Sequence, residues 1–76
     1  MQPLPDGSYE ALVVDISPLA EGPGARLELA LLAAPHKGEV VLVRSPGLDP
    51  DDLTVLGTGA RVTIVAGVPG VRLERR

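Results

Sequence analysis

Apolar residues fall in five short runs along this chain, and in three of them they alternate with polar ones. The cleanest is Arg26 to Ala33, where Leu27, Leu29 and Leu31 share one face and Arg26, Glu28 and Ala30 the other. That is the period-two signature of a strand covered on one side. By residue type the stretch is also a passable helix, because Leu, Ala, Glu and Arg are strong helix formers. The turn residues around it leave room for only about two helical turns, too few for a helix to hold unaided, so a strand is expected. Ala60 to Ala66 sets Val62, Ile64 and Ala66 against Arg61, Thr63 and Val65, and Val71 to Arg75 alternates Val71 and Leu73 with Arg72 and Glu74. Two runs do not alternate. Ser8 to Ser17 carries Ala11 and Val13 on one face and Leu12, Val14 and Ile16 on the other, which predicts a strand covered on both sides. Glu39 to Arg44 is a β-branched apolar core flanked by charge.

Nine glycines and eight prolines punctuate these runs. Pro3, Pro5, Asp6 and Gly7 form an extended lead-in and a turn. Gly22-Pro23-Gly24 turns the loop after the first run, Pro35-His36-Lys37-Gly38 the next, and Ser45-Pro46-Gly47 ends the third, since Pro46 cannot donate to a ladder. Gly67-Val68-Pro69-Gly70 is expected to join the last two runs. Between the third and fourth lies LDPDDLTVLG. Asp49 suits an N-cap, Pro50 the first helical position, and Asp51 and Asp52 the positive end of the helix dipole. Leu53 and Leu56 would then face inward together, with Gly57 as C-cap.

Three strands, a short helix and a two-strand hairpin point to an all-β fold. The expected architecture is a small five-stranded barrel of the oligonucleotide/oligosaccharide-binding (OB) kind, with one short helix between strands 3 and 4. Residues 1–76 read as a single domain, with 1–7 as lead-in. An SH3-like barrel competes, but it places its helical turn before the last strand. The helix is short for an OB barrel, where it normally plugs one end, so either a degenerate plug or an open sheet that dimerises is implied.

Composition narrows the chemistry. The chain has no cysteine, which excludes a disulfide framework and the usual zinc ligand sets. Tyr9 is the only aromatic residue, so aliphatic side chains must fill the interior. The net charge of −3 argues mildly against a dedicated duplex-binding protein. No signal peptide and no long apolar run are present, so a cytoplasmic location without a membrane span is expected.

No catalytic constellation stands out, and neither enzyme activity nor a cofactor or metal is expected. Asp49, Asp51 and Asp52 are explained by capping, and the calcium-loop pattern is absent. His36 has no second histidine or cysteine with which to share a metal. Basic residues recur about once per strand or turn: Arg26, Lys37, Arg44, Arg61 and Arg72, with Arg75 and Arg76 at the tail. On an OB barrel, strands two and three and their flanking loops form the usual ligand face. Arg26, Lys37 and Arg44 would contact phosphates there, with Tyr9 as the one residue able to stack on a base. Equally, these are solvated outward positions balanced by Glu28, Glu39 and Glu74.

The first half of the chain resembles phage-encoded small proteins that bind single-stranded DNA. The matching positions are Gly7, Tyr9, Val13, Val14, Asp15, Gly24, Leu27, Leu29, Lys37 and Gly38; the further aromatics of those proteins are missing here. The second half, with its Gly-bounded hairpin, is similar to the soluble barrel of membrane-associated NfeD-type proteins. The first resemblance implies a small module binding single-stranded nucleic acid; the candidate binding residues, taken from the basic positions and the one aromatic residue, are Tyr9, Arg26, Lys37, Arg44, Arg61 and Arg72. The alternative is a protein-interaction or structural subunit, homo-oligomeric through an exposed strand edge.

Overall fold

The computed structural model describes residues 4–74; Arg75, Arg76 and Pro3 lie outside them. Five antiparallel strands form one curled sheet: β1 (Gly7–Pro18), β2 (Ala25–Leu31), β3 (Val40–Ser45), β4 (Gly59–Val65) and β5 (Val68–Leu73). Their order is β3-β2-β1-β4-β5. The fold is all-β, a half-barrel compatible with the OB-like arrangement. β1 is its spine. Residues 7–12 pair with β4, and residues 11–18 pair with β2.

The non-alternating first run has a different cause from the one its pattern suggests. Val13 pairs with Leu29 and Asp15 with Glu28, so Val14 is an extra residue, a β-bulge. The bulge shifts parity: Ala11 and Val13 are buried before it, Ile16 after it, while Val14 is exposed. Both sequence faces look apolar because one inward face changes register halfway, not because both sides are covered. Val13, like Ala11 before it, turns its backbone to the β4 side, just beyond the end of the β1–β4 ladder. Its N–H donates to Thr58 C=O (3.0 Å), and its C=O accepts from Gly57 N–H (2.9 Å).

Those two bonds pin the only helical element among the described residues, a single 3-10 turn, Leu53–Val55. The expected cap positions shift. Asp52, not Asp49, is the N-cap and accepts from Thr54 N–H, while Asp49 accepts from Asp51 N–H in the turn before it. The expected inward pair is also corrected. Leu53 and Leu56 are 64% and 41% exposed, and Val55 between them is fully buried. A three-residue turn has one inward position, and Val55 takes it as a minimal plug.

The concave side holds the core: Ala11, Val13 and Ile16 of β1, Ala25, Leu27, Leu29 and Leu31 of β2, Val43, Val55, and Ala60, Val62 and Ile64 of β4. The alternation in the second and fourth runs is therefore the inward face of β2 and β4. The second run stops short of its expected end, because β2 finishes at Leu31 and Ala33 is exposed.

The final hairpin is tighter than its glycines and proline suggest. Val65 pairs with Val68, so the loop is Ala66-Gly67, both with positive φ (50° and 79°). This is the two-residue loop whose twist matches the flanking strands. Pro69 and Gly70 lie within β5, where an edge strand tolerates proline. The conformation of Ala66 is held from a distance. Asp6 accepts from Ala66 N–H (2.8 Å) and Gly67 N–H (3.0 Å), tying the lead-in to the hairpin tip.

Candidate functional site

The sheet does not close. β3 and β5 are its edges, run parallel to each other, and come within 8 Å at their closest Cα positions without forming a ladder. The direction of each free backbone group follows from the register. Leu31 N–H donates to Glu39 C=O (2.9 Å). The antiparallel alternation then turns the backbone of Val41, Val43 and Ser45 toward β2 and that of Val40, Leu42 and Arg44 away from it. On the other edge, Glu74 N–H donates to Gly59 C=O (2.8 Å), so Val71 and Leu73 direct their backbone outward. Pro69 shares that direction but has no N–H.

The side chains at the free β3 positions are exposed as well. Val40 and Leu42 are 53% and 52% exposed, and Arg44 follows them on the same outer face. These two apolar residues escape sequence reasoning because EVVLVR has no polar face to mark its outside. A run of that kind reads as a buried strand; here only its Val41 and Val43 side faces the core.

The register sorts the basic residues into two cross-strand pairs. Arg26 lies directly opposite Arg44 on the outer face of β2 and β3, with Ser17 of β1 completing the row. Arg61 lies opposite Arg72 on β4 and β5, with Glu10 of β1 in its row. Glu10 and Ser17 sit seven positions apart on β1, roughly 20 Å at strand rise, so the pairs are separate. Arg61, Arg72, Leu73 and Glu74 line a shallow depression of about 590 Å³. Like charges directly opposite each other cost a few tenths of a kcal/mol to about 1 kcal/mol. None of these four arginines is ion-paired to a described residue. Glu28 stands between Asp15 and Leu42, not against an arginine, and Glu39 is taken by His36 (Nδ1 to Oε2, 2.5 Å).

Lys37 and Tyr9 are not brought to either pair. Lys37 is exposed in the turn beyond the far end of β2 from Arg26. Tyr9 is half-buried against the core; its hydroxyl donates to Pro5 C=O (2.5 Å), and its ring meets His36 edge-on at 5.8 Å. It braces the lead-in against the 35–38 turn. Among the described residues, no helix is long and apolar enough to cross a membrane. Comparison with family models, with curated proteins and with solved structures gives no match.

Proposed function

We propose that this chain is a small non-catalytic interaction module that takes an extended polypeptide segment along the edge of β3. The observation that supports it is the set of outward-directed backbone groups at Val40, Leu42 and Arg44, flanked by the exposed Val40 and Leu42 side chains. An unpaired edge of this kind is a template for strand addition, in which main-chain bonds give affinity and alternate side chains give specificity. Within β3 itself nothing blunts it: no proline interrupts residues 40–45, and the one charge there is Arg44. A cytoplasmic location belongs to the same reading.

A library of unstructured peptides displayed against the immobilised chain tests this. The parent should enrich extended, β-branched sequences, and Leu42→Pro should enrich none. The N–H that proline removes at position 42 is not one bonded to β2, so the variant should keep its fold, with a melting temperature within a few degrees of the parent. Equal enrichment by both proteins would contradict the reading.

A second reading is single-stranded nucleic acid binding, and Arg26 opposite Arg44 on the outer β2–β3 face is the observation that favours it. Phosphates would relieve that like-charge contact. Retention of a labelled oligothymidine that falls steeply with added salt, and is lost in Arg44→Ala, would move the assignment there.

A further inference from the structure

We infer that the occupant of the open seam is a segment of a different protein in which an acidic residue is followed by four apolar or β-branched residues, bound antiparallel to β3. The inference rests on the interaction-module reading and specifies its partner.

Direction comes first. β3 and β5 are parallel, so closing the barrel by pairing them directly requires a parallel ladder, the slightly weaker kind. A strand inserted antiparallel to β3 is antiparallel to β5 as well, and completes a six-stranded barrel that is antiparallel throughout. It meets outward backbone groups at Val40, Leu42 and Arg44 on one side and at Val71 and Leu73 on the other. Two strand spacings need roughly 9.6 Å. The edges lie no more than 8 Å apart at their closest, so insertion must widen the seam there by at least about 1.6 Å.

Side-chain chemistry follows from register. The residue opposite Arg44 enters beside a guanidinium that already faces Arg26 and is ion-paired to no described residue. A carboxylate there converts a repulsive cross-strand contact into an attractive one. Reading the segment onward antiparallel, the next residues lie opposite Val43, Leu42, Val41 and Val40. Those opposite Val43 and Val41 face the core, and those opposite Leu42 and Val40 cover exposed apolar side chains.

The chain's own edges do not supply that carboxylate. Two-fold pairing of β3 with a second copy sets an even-numbered residue against Arg44, and these are Gly38, Val40, Leu42 and Arg44 itself. The outward backbone positions of β5 carry Pro69, Val71 and Leu73. None is acidic, so charge complementarity selects a foreign segment over self-association.

The test uses the full chain and two capped peptides, Ser-Glu-Val-Thr-Val-Thr-Ser and its counterpart with Lys in place of Glu. The parent should bind the Glu peptide roughly fivefold to tenfold more tightly, the range expected when a surface pair changes from repulsive to attractive. Arg44→Glu should invert the preference, and because it sets a carboxylate opposite Arg26 it should keep the fold, with a melting temperature equal to or a few degrees above the parent's. Equal affinity of the parent for both peptides would overturn the acidic requirement while leaving the module reading intact. Binding of neither peptide by a chain that enriches other library sequences would also overturn the proposed motif. Binding of neither, with no library enrichment, would remove the module reading itself. A parent that sediments as a dimer, reverting to monomer in Leu42→Pro, would overturn the preference for a foreign partner.

Discussion

Gly24→Ala is expected to destabilise the chain by about 2–4 kcal/mol, the sum of a strained backbone and an overpacked contact. Gly24 has φ +111°, and an added Cβ would lie 2.5 Å from the Cα of Pro46. The neighbour is backbone at the end of β3, so relief requires moving the loop after β1 away from the 45–47 turn. That turn follows directly on the pairing of Ala25 with Ser45. In a domain of this size each kcal/mol is worth roughly 4–8 °C, so a loss of about 8–32 °C by far-ultraviolet circular dichroism is expected. Gly22→Ala separates the two causes. Gly22 also has positive φ (+77°), but nothing lies within 4 Å of its Cβ position, so only the backbone term of about 1–2 kcal/mol applies. Equal losses for the two variants would show that the Gly24–Pro46 contact is not what matters.

Leu27→Ala is the second large effect, expected at about 2–5 kcal/mol. Leu27 is fully buried in β2 between Ile16 of β1 and Val43 of β3. The cavity cannot collapse easily, because both neighbours are fixed by ladders. A chain of 76 residues has a total margin of only about 4–11 kcal/mol, so the variant should lose a large part of it. Leu42→Ala, on the outer face of the next strand, should cost no more than about 0.5 kcal/mol. Chemical denaturation of both separates the inward face from the outward one. Comparable losses would mean that Leu42 is covered in solution and the seam is not open.

What the sequence discloses is what local rules govern. The prolines and glycines at 22–24, 35–38 and 45–47 do bound the strands, and the alternation of β2 and β4 does mark the core face. Features decided by distant contacts stay hidden. The bulge at Val14 leaves no local signature, because an inserted valine among valines looks like continued strand. The final turn sits at Ala66-Gly67, in place of the better turn composition two residues on, with Asp6 satisfying its N–H groups from sixty positions upstream. The aspartates at 49–52 have sound capping grammar for an α-helix. Only three helical residues form before Gly57 and Thr58 are drawn onto Val13.

The arginines show the same division. Alternation places Arg26, Arg61 and Arg72 outward, as found. That they stand opposite one another in two pairs depends on register, which no single strand encodes. Tyr9 is placed by the parity of β1, whose inward side puts the half-buried ring against the core and His36.

The open edge of β3 is the claim on which the interaction-module reading and its acidic partner depend, and amide hydrogen exchange of the free chain tests it most directly. Alternate protection is predicted along β3: slow exchange at Val41 and Val43, whose N–H groups face β2, and fast exchange at Val40, Leu42 and Arg44. Val71 and Leu73 on β5 should exchange as fast as those three. Uniform protection across residues 40–44, together with protection of Val71 and Leu73, would mean that β3 and β5 pair with each other in solution, and that the barrel closes without a partner.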